Sequence, residues 1–110
     1  MRADTKEKSF PVKVKKEIAE RDSIDGWPCC VNCGKPAPTE LAFSNAHYIS
    51  RAQGGLGIVE NGLTLCPVCH AMYDQTHLRE NMRDYFRYYL TQHHPEWDEK
   101  NLVFSKGDLM

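Results

Sequence analysis

The sequence predicts a small α+β domain in which two short strands are flanked by an N-terminal and a C-terminal helix. Three observations predict it. The chain has 110 residues, 41% hydrophobic and 26% charged, which is the ordinary make-up of one globular domain. Apolar residues recur at helical spacing near both ends: Val14 and Ile18, then Met82, Tyr85, Phe86, Tyr89 and Leu90. Between them lie two Cys-x-x-Cys pairs, Cys30/Cys33 and Cys66/Cys69, separated by strand-like segments. A core this small gives limited stability by itself, so the cysteines invite a structural role.

Composition narrows the class. No apolar run approaches the roughly 18 residues of a membrane span, and the charged N-terminus lacks a signal-peptide core, so we expect an intracellular chain. Five cysteines is an odd number, and a disulfide framework is disfavoured in a reducing compartment. Metal ligation is the better default. The formal net charge is −1, which argues against strong non-specific coating of DNA. The charge is uneven, however: Arg2 to Arg21 holds seven Lys/Arg against four Asp/Glu, so a local phosphate-binding face remains open.

In chain order, Ser9 is expected to cap a helix with Pro11 in its first turn. The helix then runs to about Asp22, its lysines forming a solvated face in preference to a DNA contact. Gly26-Trp27-Pro28 breaks it. Leu41 to Ile49 reads as a strand, Gly54 to Gly57 as a turn, and Leu63 to Leu65 as a second strand. Helix resumes near Pro67. The stripe from Met82 to Leu90 predicts a packing face, ended by Pro95, with Trp97 folding back as an anchor. His93 and His94 are expected to be exposed.

The paired knuckles carry the strongest signal. A two-residue gap lets both sulfurs of a pair reach one tetrahedral ion at about 2.3 Å, and Gly34 relaxes the turn after Cys33. Four thiolates from Cys30, Cys33, Cys66 and Cys69 would close a structural Zn²⁺ site and supply folding energy. Cys29 reads as a spare buried thiol.

If zinc takes four cysteines, His47 and His70 are left for other work. His47-Tyr48-Ile49 leads to Gly54-Gly55, then Asn61, then Leu65-Cys66 and Cys69-His70. In these residues the sequence resembles the HNH endonuclease family, specifically its zinc-bearing, bacteriophage-like members, over roughly residues 12 to 77. The resemblance implies a ββα-metal, treble-clef-like finger with a structural zinc held by four cysteines. It further implies one HNH nuclease domain over 1–110: helix and lead-in over 1–28, knuckles and ββα core over 29–77, C-terminal helix and tail over 78–110.

The implied activity is metal-dependent hydrolysis of phosphodiester bonds in double-stranded DNA. His47 would be the general base, Asn61 would pin the loop that aims it, and His70 would hold a catalytic Mg²⁺ or Mn²⁺. Arg51 would contact a phosphate, with a plain surface arginine as the equal alternative. Family members often carry a metal ligand directly before the base. Here that position is Ala46, so Asp74, at i+4 from His70, and His77, at i+7, are candidates to replace it. The resemblance also implies phage origin, action in the cytoplasm of a bacterial host and a link to terminase subunits of the DNA-packaging motor; we expect a monomer or weak dimer, an endonuclease or nickase that as a monomer would nick. The competing reading is a non-catalytic zinc-bearing module that binds DNA or a protein.

Overall fold

A computed structural model describes residues 9–39 and 42–103. Among these residues there are three α-helices and two sheets of two strands each. Helix α1 spans Val12–Arg21. Its N-cap is Pro11, in extended geometry and without a side-chain cap bond. Ser9 therefore does not cap it as expected. A proline at position 11 disfavours the helical region for the residue before it, so the helix starts after Phe10. The Ser9 hydroxyl instead accepts from Arg51 Nη2 at 3.3 Å. Ile18 is buried, Val14 half-buried, and Lys13, Lys15 and Lys16 lie on the solvent side.

After α1 the chain makes a hairpin where the sequence predicts only a break. Strands β1 (Ser23–Ile24) and β2 (Trp27–Pro28) pair antiparallel. Asp25 and Gly26 between them both have positive φ, 54° and 81°, the signature of a type I′ turn.

The central hairpin pairs β3 (Ser44–His47) with β4 (Gly62–Leu65), Ser44 opposite Leu65 and His47 opposite Gly62. The predicted strand from Leu41 to Ile49 is thus shorter at both ends, and Leu41 itself lies outside the described residues. Tyr48 and Ile49 leave the ladder because the Asn61 side chain takes both main-chain groups of Ile49. The connection bends through 3-10 turns at Arg51–Gln53 and Val59–Asn61. Gly55 is required there, since a Cβ would run into the Ile49 carbonyl.

Helix α2 (Pro67–Gln75) starts with proline in its first turn and Cys66 as N-cap; α3 spans Arg79–His93. One face of the β3–β4 hairpin carries Ala46, Leu63 and Leu65 into a core with Tyr73, Phe86 and Leu90 of the two helices. The other face packs under α1, where Gly62 leaves room for Ile18. All four residues of β4 are buried as a result.

The stripe on α3 is narrower than predicted. Met82, Phe86 and Leu90 are buried, but Tyr85 is 46% exposed and Tyr89 half-buried. Both tyrosines sit at the rim with their hydroxyls bonded, Tyr85 to the Val31 carbonyl at 3.3 Å and Tyr89 to Asp22 Oδ1 at 2.6 Å, as an amphipathic ring prefers. Beyond the helix, Trp97 does anchor the chain: its ring meets Tyr48 edge-on at 5.6 Å and Nε1 donates to the Glu60 carbonyl at 2.9 Å.

Candidate active site and metal centre

Cys30 and Cys33 lie in the turn that follows β2, Cys66 at the end of β4, and Cys69 in the first turn of α2. Their four sulfurs all lie within 4.8 Å of one another, and Cys33 Sγ is 3.9 Å from Cys66 Sγ. A tetrahedral ion with bonds of about 2.3 Å needs sulfurs about 3.8 Å apart, so the set fits zinc. Gly34, at φ 79°, lets its amide return to the Cys30 carbonyl at 2.8 Å and closes the first knuckle. Burial pushes the Cys69 thiol up to about 12 and raises Cys30 as well. Burial also acts on Cys66, but hydrogen bonds from the Cys69 amide and neighbouring thiols outweigh it and lower that thiol. Asn32 Nδ2 donates to Cys69 Sγ at 3.4 Å, a contact the sequence does not announce. Cys29 stays outside the cluster, buried, with Sγ 3.4 Å from the Trp27 carbonyl. With four thiolates, such a site leaves no open position for substrate.

His70 projects from α2. Its Nδ1 lies 2.6 Å from Ser44 Oγ and its Nε2 lies 2.9 Å from Asp74 Oδ2. The contact is an i,i+4 pair on one helix face, and the same two side chains are the ones that could hold a hard divalent cation. Ser44 would then accept the Nδ1 proton and leave the Nε2 lone pair for the ion, the usual outer support of a metal-binding histidine. Arg79 Nη1 reaches the other Asp74 oxygen at 3.5 Å, while its Nη2 donates to the Tyr48 carbonyl at 3.3 Å.

His47 closes β3 and stacks on Phe10, ring centres 4.1 Å apart. Side chains alternate along a strand, so Ser44 and Ala46 share the face towards α2, whereas His47 belongs with Asn45 on the face towards α1. His70 is thereby joined to the hairpin from one side and His47 is held from the other. Ala46 is fully buried in the core and acts as packing. On its face the side chain that meets His70 is Ser44, two residues earlier. The strand period of two was the signal that could have found it.

Asn61 is fully buried. Its Oδ1 accepts from the Ile49 amide at 2.8 Å, and Nδ2 donates to the Ile49 and Leu56 carbonyls at 3.1 and 2.9 Å. The Tyr48 carbonyl accepts from Tyr73 Oη at 2.7 Å and the Tyr48 amide donates to the Asn61 carbonyl at 2.8 Å. The main chain directly after His47 is therefore bonded residue by residue.

Two expectations need correction. His77 does not share a helix face with His70, because α2 ends at Gln75, Thr76 is extended, and His77 sits exposed in the following turn. His94 is half-buried, 3.3 Å from Arg21 Nη1, where the chain turns off α3; only His93 is exposed. Arg51 is exposed on its 3-10 turn and bonded to Ser9. Among the described residues no group of three or more His, Cys, Asp or Glu ligand atoms other than the four cysteines comes together.

A β-hairpin followed by a helix, with a four-cysteine knuckle where the second strand enters that helix, is the architecture of a ββα-metal nuclease domain. The model of the HNH endonuclease family matches residues 30–76, from the first knuckle through α2. Its members act on DNA, and the match indicates nuclease activity with a metal. No curated protein matches the chain. No helix among the described residues is long and apolar enough to cross a membrane.

Proposed function

We propose that the protein is a metal-dependent DNA endonuclease or nickase with His47 as general base. The observation that carries this reading is the bonding of Tyr48 and Ile49 within the HNH segment: Asn61 alone makes three bonds to the loop that follows His47. These bonds fix the main chain from two residues after His47, as a positioned base requires. A neutral imidazole, whose ordinary pKa lies near working pH, takes a proton from water as the water attacks phosphorus in line. The bond to the 3′ oxygen breaks and the product carries a 5′ phosphate. Phe10 sets the ring plane and Asn61 is a positioning residue. Mg²⁺ or Mn²⁺ bound at His70 and Asp74 would stabilise charge on the phosphate and the leaving oxygen. Zn²⁺ on Cys30, Cys33, Cys66 and Cys69 would fix the start of α2, which presents His70.

The wider reading places the protein in a phage, acting on double-stranded DNA in a bacterial cytoplasm beside terminase subunits, as a monomer or weak dimer. Ala46, which offers no ligand, favours the alternative of a non-catalytic zinc-bearing module. A plasmid-nicking assay of zinc-loaded protein with and without Mn²⁺ or Mg²⁺, beside His47→Ala, decides between them. Relaxation of supercoiled DNA that needs the added ion and vanishes in the folded variant supports catalysis. Absence of relaxation under every ion, with zinc bound and the fold intact, supports the binding module.

A further inference from the structure

Between α1 and the outer face of the β3–β4 hairpin runs a groove of about 860 Å³, within the range of ligand-binding clefts. One of its wall residues touches the proposed base: Phe10 stacks on His47, on the same face of the hairpin. Whatever fills the groove therefore lies beside the proposed centre. Phe10 and Phe43 give it aromatic walls, and the exposed Lys15 and Lys16 line it from α1. Glu20 shares the α1 wall, so the groove is only weakly cationic. Thr64, also in the lining, is 2% exposed, and its buried hydroxyl does not reach the groove.

A paired duplex keeps its bases stacked inside and offers phosphates to the protein, which an aromatic cleft cannot use. An unpaired strand exposes base faces that stack on aromatic rings, base edges that can meet a hydroxyl or amide, and phosphates for a few lysines. We propose that this groove holds an unpaired strand of the nucleic-acid substrate, so that the enzyme cuts beside an opened or flapped stretch of DNA. The proposal rests on the nuclease reading and adds the form of the substrate.

The test is fluorescence anisotropy on zinc-loaded protein without further divalent ion, comparing labelled oligothymidine with a hairpin duplex of equal nucleotide number. The strand should bind at least about tenfold more tightly. Phe43→Ala should weaken strand binding by roughly 5- to 150-fold, as loss of one stacked base does, and leave the duplex unaffected. Zinc content and circular dichroism check that this variant is folded. The double variant Lys15→Gln/Lys16→Gln, at exposed positions, should flatten the salt dependence by up to about 1.4 in slope, roughly 0.7 per lost phosphate contact. Equal affinity for the two probes, or a salt slope and strand affinity unchanged in both variants, overturns the groove. Plasmid nicking run in parallel separates the two readings. Cutting without strand preference removes the groove and leaves the nuclease; strand preference lost in Phe43→Ala, with no cutting under any ion, keeps the groove and removes the nuclease.

Discussion

Asn61 brackets Ile49: its carboxamide oxygen accepts from the Ile49 amide at 2.8 Å and its nitrogen donates to the Ile49 carbonyl at 3.1 Å. One side chain thus replaces the two ladder bonds that the strand gives up as it turns away, two residues beyond His47. Asn61→Ala would strand these groups and the Leu56 carbonyl in a buried place. At about 1–3 kcal/mol for each unsatisfied group, the loss should be at least about 3 kcal/mol. Urea unfolding of the zinc-loaded variant measures it, and a change below about 1 kcal/mol would contradict this account.

Asp22 ties the end of α1 to α3 and β4. It takes both Arg21 Nε and Nη2, the Tyr89 hydroxyl and the Thr64 amide, at 2.6–3.0 Å. Burial first, and then this carboxylate, hold the Tyr89 hydroxyl above its ordinary range, so it remains a donor. Asp22→Ala leaves a buried guanidinium without its partner and should cost about 3–5 kcal/mol. Tyr89→Phe removes one charge-assisted bond and should cost about 1.5–3 kcal/mol. Thermal and urea denaturation of the two variants should keep that order.

Metal analysis should return one zinc per chain. Stripping it should unfold the protein, since apparent binding energies of structural zinc sites, about 10–16 kcal/mol, exceed the stability of a domain this size. Cys69→Ser should lose the ion and the fold together, while Cys29→Ser should keep both. Loss of zinc in Cys29→Ser would mean that the wrong thiol has been left out of the site.

Ser44 holds His70 by its far nitrogen. If that contact orients a metal ligand, Ser44→Ala should weaken Mn²⁺ binding by about 10- to 100-fold, the usual effect of removing such a support. Zinc content should not change. Asp74→Asn should weaken Mn²⁺ as well. Calorimetric titration of Mn²⁺ into the zinc-loaded variants reads both, and unaltered affinity in the pair would place the ion elsewhere.

Burial, and after it the Arg21 guanidinium, hold His94 below its ordinary 6.5. The unfolded chain therefore takes up this proton first as pH falls. His94 contributes its full stability above about pH 6.5, and the contribution is lost as pH drops towards the depressed folded value. Stability should fall more steeply between about pH 7 and 5.5 in the parent than in His94→Gln. Parallel curves in urea titrations across that range would show that His94 does not titrate in this way.

Several features were legible because they are local. The Cys-x-x-Cys gaps place both sulfurs of a pair on one side of a turn, and the structure does gather all four. The spacing of Met82, Phe86 and Leu90 is a helical repeat whatever surrounds it, and Pro67 suits a first turn. Asp25-Gly26 is equally local and signals the β1–β2 hairpin. It escapes a reading by periodicity because two-residue strands are too short to show an alternating pattern.

What the sequence by itself determined was the set of parts: two knuckles fit for one ion, a strand carrying His47, a helix opening at Pro67 with His70 in its first turns, and an amphipathic α3. Only the tertiary structure decided how they face one another. Strand alternation together with the β3–β4 register puts Ser44 and Ala46 against α2 and His47 against Phe10. The early end of α2 removes His77 from the face that joins His70 to Asp74. Arg21, Asp22, Tyr89 and His94 meet across more than 60 residues of chain. Such pairings depend on which surfaces pack together, and no residue's own preferences or near neighbours encode that.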